Sequence, residues 1–149
     1  MTVEPTQDEA LLAQILLHPQ VFHFRSLCDG ISEECFKPPE GLYLVAKEGG
    51  APLGVFYFHP QNPRMWQAHV AFLPTAWGGR QTREAARLAI QWLKKQTTCR
   101  KLLLLIPNFN QSAIQYIERL GGKHEATIRQ GCVKQGVLAP ELIYTLEVS

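Results

Sequence analysis

Several things are scarce in this chain, and each scarcity removes a class of protein. The longest unbroken apolar run is Leu102 to Pro107, far short of the roughly 20 residues that a membrane-crossing helix needs. Cysteine is sparse, and Cys28, Cys35, Cys99 and Cys132 have neither a Cys-x-x-Cys spacing nor a close histidine partner. That pattern argues against a tetrahedral zinc site and against a disulfide scaffold, so reduced, mostly buried thiols and no metal are expected. A surplus of one charge is also lacking, since the net charge is only +2, which speaks against a dedicated nucleic-acid binder. The first residues, Met-Thr-Val-Glu-Pro-Thr-Gln-Asp-Glu, are acidic and polar rather than leader-like, so a cytoplasmic setting is expected. No repeat, low-complexity run or linker interrupts the 149 residues, a length that buries one core without disulfides or metal.

What is present is alternating patterning. Thr6-x-x-Glu9 has the form of a capping box, and Leu11, Leu12, Ile15 and Leu16 follow at helical spacing, which predicts a helix over about 7–17 stopped by His18-Pro19. A shorter helix is expected over Val21 to Leu27, with one more turn from Ser32 before Pro38-Pro39. Leu42 to Lys47 and Leu53 to Phe58 read as strands joined by a Gly49-Gly50 hairpin, and a third strand ending near Phe72 completes a meander. Ala85, Leu88, Ala89, Trp92 and Leu93 mark the inner face of a following helix, opposite Arg80, Arg83, Arg87 and Lys94. Lys101 to Ile106 has the continuous apolar character of a parallel strand buried on both sides. It is reached by a right-handed crossover. Asn110 then caps a helix with Ala113, Ile114, Ile117 and Leu120 inward, ended by Gly121-Gly122, and two strands, Glu125 to Val133 and Leu142 to Glu147, close the chain.

The turn between the third strand and the second long helix carries chemistry. Trp77-Gly78-Gly79-Arg80-Gln-Thr-Arg83 places glycines where backbone must bend close to a ligand, and helix-terminal N–H groups beside two guanidinium groups. Such a turn holds an anion. Residues 80 to 101 contain seven Arg or Lys against a single acid, Glu84; beyond Arg80 and Arg83 this stripe reads as a solvated helix face.

The order of elements and two local patterns resemble the GNAT family of acyl-CoA-dependent N-acetyltransferases over nearly the whole chain. Pro74-x-x-Trp77-Gly78-Gly79-Arg80-Gln81-Thr82-Arg83-Glu84-Ala85 is similar to the pyrophosphate turn in the form seen in ribosomal-protein N-terminal acetyltransferases. Asn110-x-x-Ala113 to Leu120-Gly121-Gly122 is similar to the family's Asn-x-x-Ala/Ser to Leu-Gly-Phe segment, and the strand ending His69-Val-Ala-Phe-Leu-Pro74 resembles phage-encoded members. The resemblance implies an α/β (α+β) fold, with a mixed, mostly antiparallel sheet of about six strands that includes a splayed parallel pair, flanked by helices in a single domain. It implies acetyl-CoA as co-substrate and an amine, free or on a protein, as acceptor, attacking directly through a tetrahedral intermediate. The turn from Gly78 through Gly79, Arg80, Gln81, Thr82 and Arg83 would hold the pyrophosphate. Backbone groups of Ala71, Phe72 and Leu73 would pair with the pantetheine arm, and Asn110 would contact it from the other side.

His69 is the candidate base, because a neutral imidazole on the central strand takes a proton near pH 7. The family's tyrosine acid falls at Ile117, and Tyr116 stands about 100° round the helix from it, as the candidate acid. Two departures, Arg80 in place of the second turn glycine and Ile117 in place of the tyrosine, support an alternative: a GNAT-like module that binds or assembles without catalysis. No membrane partner is expected, nucleic acid is disfavoured, and a homodimer is left open.

Overall fold

The structure, a computed structural model, describes residues 1–22 and 40–149. The expected helix from Val21 to Leu27, the Ser32 turn, Cys28, Cys35 and Pro38-Pro39 lie wholly or mostly outside those residues. Of that region, only the short helix α2 (Pro19–Phe22) is described, after α1 (Glu9–Leu16). The cap of α1 is Asp8, not Thr6: the Asp8 side chain accepts from the Leu11 amide at 3.1 Å, while the Thr6 hydroxyl accepts from the Asp8 amide at 3.2 Å. The aspartate wins because its carboxylate stands one residue before the first helical turn, where the orphan amides point.

Seven strands form one sheet: β1 (Thr2–Pro5), β2 (Leu42–Glu48), β3 (Ala51–Pro60), β4 (Met65–Phe72), β5 (Lys101–Pro107), β6 (Lys123–Lys134) and β7 (Val137–Glu147). Their spatial order is β1-β2-β3-β4-β5-β7-β6, and all neighbours are antiparallel except β4 and β5. The expected mixed sheet with one parallel pair is therefore present, extended by an edge strand, β1, whose short polar sequence gave no apolar alternation to read. Helix α3 (Arg80–Gln96) crosses from β4 to β5, and α4 (Gln111–Arg119) joins β5 to β6.

Two cores lie on opposite faces of the sheet. On one, Leu12 and Ile15 of α1 pack on Tyr43, Val45 and Val55. On the other, Ala85, Ala86, Ala89 and Leu93 of α3, with Ile114 and Ile117 of α4, cover Leu44, Phe56, Phe58, Leu102, Leu104 and Tyr144. Alanines at three of the inward positions bring α3 close to the strands, and burying Leu93 alone contributes about 2 kcal/mol. Strand β5 is not buried on both sides as its sequence suggested. Leu102, Leu104 and Ile106 are buried, whereas Leu105 on the opposite face is 37% exposed, because α3 and α4 cover only the face carrying the even-numbered residues. The last two strands run longer than expected. Bulges at His124/Ala126 and at Ile128/Cys132 break β6's alternation, and Pro140 sits inside β7.

Candidate functional site

Strands β4 and β5 are hydrogen-bonded over three rungs only, Met65 to Lys101, Trp66 to Leu102 and Gln67 to Leu103. Beyond them the strands diverge. On its other side β4 stays paired with β3 as far as Gly54 to Phe72, and β5 stays paired with β7 as far as Pro107 to Glu141. From Ala68 to Phe72 the edge of β4 that faces β5 thus borders an opening, and its main-chain groups have no strand partner there. An apolar pocket opens beside it, lined by Ala68 and Val70 of β4, Leu104 of β5, Ala86 of α3, and Tyr116 and Ile117 of α4. Gly54 keeps the end of β4 tight against β3: a Cβ there would collide with the Phe72 ring and the Ala71 carbonyl.

The turn leaving β4 is built to end at an uncovered helix terminus. A single 3-10 turn, Pro74–Ala76, is followed by Trp77, whose indole N–H donates to the Phe72 carbonyl at 2.9 Å and ties the turn back to the strand. Gly78 has φ +75, a left-handed conformation that costs any other residue energy, and open space where a side chain would project. Gly79 precedes the first turn of α3, and no side chain caps it. The amides of Arg80, Gln81 and Thr82 therefore lack an intrahelical acceptor and point outward with the positive end of the helix dipole. Arg80 and Arg83 are exposed and form no ion pair with a described residue, while farther along α3 the side chains of Arg87, Lys94 and Lys95 are solvated as expected.

His69 projects from β4 on the α1 side of the sheet. Its ring stacks on Tyr57 at 5.4 Å, interplanar angle 27°, and on His59 at 5.7 Å and 14°. This crowding removes water from the imidazole and, with the neighbouring His59 as the second cause, pulls its pKa below the ordinary 6.5. The ring is neutral at pH 7 while its outer edge still reaches solvent. Tyr116, on α4, stands on the opposite side of the sheet. Its hydroxyl donates to the Thr82 carbonyl at 2.7 Å and its ring meets Phe72 edge-on at 5.8 Å. Burial raises its pKa well above the usual phenol value, so it stays protonated. Ile117, beside it, is buried in the core.

Asn110 caps α4 by accepting from the Ala113 amide at 3.3 Å. Leu73 has both backbone groups engaged within the chain, its N–H donating to Leu53 at 2.8 Å and its carbonyl accepting from Ala76 at 2.9 Å. Ala71 and Phe72 border the opening; Leu73 lies just past it. Sequence reasoning passed over His59, which lies ten residues from His69 and is set beside it by the β3–β4 hairpin, where His59 pairs with Gln67 and Tyr57 with His69. Counting rungs back from the Asn62 turn would have found it. Tyr144 is core, and its hydroxyl donates to Glu118 at 2.7 Å. Among the described residues no cluster of His, Cys, Asp or Glu is arranged to hold a metal ion, and no helix is long and apolar enough to cross a membrane.

Comparison with known proteins adds an independent line. A model of the acetyltransferase (GNAT) family matches residues 10–122. No curated protein matches this sequence. Among solved structures, yncA from Salmonella typhimurium, determined with its cofactor acetyl-CoA, superposes with a TM-score of 0.77 at 19% identity, covering 100% of this chain and 94% of its own. The protein smu.2055 from Streptococcus mutans gives 0.75 at 17% identity over 100% of both chains. A ribosomal-protein-alanine N-acetyltransferase from Brucella melitensis gives 0.61 at 20% identity over 72% of this chain and 68% of its own.

Proposed function

Because the chain belongs to the acetyltransferase (GNAT) family, we propose that it is an N-acetyltransferase, drawing its acetyl group from acetyl-CoA and passing it to an amine. One observation carries the reading above all: the β4–β5 seam opens after its third rung, and the unpaired edge of β4 leads through a short turn into the uncapped first turn of α3. The residues present fit such a co-substrate. Free amides at Arg80 to Thr82, the open space at Gly78 and the charges of Arg80 and Arg83 suit a diphosphate. The free edge of β4 at Ala71 and Phe72 suits an amide-bearing arm that adds to the sheet as a strand would. Leu73, its hydrogen bonds already made, contributes shape. Asn110 borders the arm from α4.

When bound, the thioester supplies an activated acyl carbonyl. His69 takes the proton from the incoming nitrogen, directly or through water, as the new C–N bond forms and the C–S bond breaks. Tyr116 is the proposed donor to the departing thiolate, and its protonated state suits that role. Acting so requires its hydroxyl to leave the Thr82 carbonyl. That existing hydrogen bond, with Ile117 buried in the core, favours a second reading, a module that binds the thioester without turning it over.

Thermal unfolding with acetyl-CoA separates the outcomes. At about 100 times its Kd the ligand should add roughly 2.7 kcal/mol of stability, and thiol release across an amine panel should follow. Stabilisation with no thiol release favours the second reading. No stabilisation removes both.

A further inference from the structure

On the α1 side of the sheet one row of side chains runs across the molecule and is interrupted at the opening. Tyr43 is paired with Tyr57, and Tyr57 with His69. Gln67 and Leu103 are the last paired rung, so the next residues on that face are His69 on one lip and Leu105 on the other. Leu105 is paired with Ile143, and Ile143 with Ala126. The two halves of this row differ in chemistry. On the β4 side it is aromatic and carries the imidazole; on the β5 side it is aliphatic and extends roughly 10 Å from Leu105 to Ala126 at the spacing of adjacent strands. Leu105 remains 37% exposed and Ile128, one step further along β6, 43%. Of the carboxylates on this face of β6 and β7, Glu125 already accepts the Thr145 hydroxyl at 2.7 Å, Glu147 is paired with Lys101 at 3.2 Å, and Glu141 sits at the margin, two rungs along from Ile143.

Resting on the acetyl-transfer reading, we propose that the acceptor is a primary amine carried on an apolar body. Its nitrogen lies at the opening beside His69 and its hydrocarbon lies along Leu105 and Ile143. An aliphatic lip beside the attack position also favours the uncharged amine, the form that can attack, because desolvation penalises the ammonium. In the step itself the nitrogen lone pair forms the C–N bond, the C–S pair leaves with sulfur, and the amine proton goes to His69. A free arylalkyl or alkyl amine and the N-terminus of a peptide that begins with an apolar residue share this chemistry.

The test measures thiol release at saturating acetyl-CoA with phenethylamine, isopentylamine and a tripeptide with N-terminal leucine, against spermidine and glucosamine. The apolar acceptors should exceed the polar ones in kcat/KM by about 10-fold or more. Leu105→Asp should erase most of that ratio while leaving the KM for acetyl-CoA within about twofold, and Leu105→Ile should retain it. If Leu105→Asp melts early, Ile143→Thr serves as the second variant. A faster peptide identifies a protein N-terminus as the source, a faster free amine a metabolite; both support the assignment. Preference for spermidine or glucosamine, a ratio unmoved by the lip variants, or thioester binding with no transfer to any of these amines overturns it. Absence of acetyl-CoA binding overturns the underlying transferase reading instead, and is seen separately in the thermal shift.

Discussion

Two strand-to-helix junctions stand side by side in this molecule, and they resolve the same problem in opposite ways. After β5, Asn110 folds its side-chain oxygen onto the Ala113 amide, and the strand before it stays paired with β7 to its last residue. After β4, Gly79 offers no side chain to the first turn of α3, and the β5-facing edge of the strand is unpaired beyond Gln67. The first junction caps its helix with its own side chain; the second leaves helix amides and a strand edge without partners in the chain, next to two exposed arginines. Glycine at a cap position costs only about a few tenths of a kcal/mol relative to a capping side chain, and it leaves the helix amides open to a ligand's oxygens.

Four changes break or sharpen that contrast, taken from the largest effect to the smallest. His69→Gln removes the proposed proton acceptor from the open side, and steady-state kinetics should show turnover reduced by roughly 10² to 10⁴ with acetyl-CoA binding retained; equal loss of binding would contradict the role. Gly79→Asp makes the open junction resemble the closed one. Its carboxylate should cap α3 and raise stability by a few tenths of a kcal/mol, while repelling a diphosphate and weakening acetyl-CoA by about 100-fold in calorimetry. Unchanged affinity would mean that the anion binds elsewhere. Asn110→Ala opens the closed junction and should cost about 1 kcal/mol, a fall of roughly 2–4 °C in Tm for a chain of this size.

The smallest effect concerns pH. His69 titrates lower in the fold than its unfolded value of 6.5, so between those two points the unfolded chain binds more protons. The contribution of His69 to stability is therefore lost progressively as pH falls below about 6.5. Comparing melting temperatures of the protein and of His69→Gln from about pH 7 to about pH 5 should reveal the difference. The same shift keeps the His69 imidazole neutral to lower pH, so with His69 as the proposed base the acid limb of kcat/KM should lie below the ordinary imidazole range.

Much of this frame was legible from local sequence. Apolar spacing located α3 and α4, the Gly49-Gly50 pair located the β2–β3 hairpin, and Asn110 was read as a cap that the structure contains. What escaped depends on contacts between distant segments. Strand β1, with Pro5 and exposed Thr2 and Glu4, is a strand only because β2 offers it an edge. The stacking of His59 on His69 needs the register of the β3–β4 hairpin, and the one-sided burial of β5 needs knowledge of where α3 and α4 lie. The turn at Gly78 and Gly79 was visible as a pattern, but the early end of the β4–β5 ladder leaves no mark in either strand's composition.

That early end has a mechanical consequence. Three rungs are all that join the β1–β4 block to the β5–β7 block within the sheet, so the two plates are held together chiefly by the core that α3 and α4 lay across both. A molecule lodged between them would act as a staple, and amide exchange should slow on both plates together when it arrives.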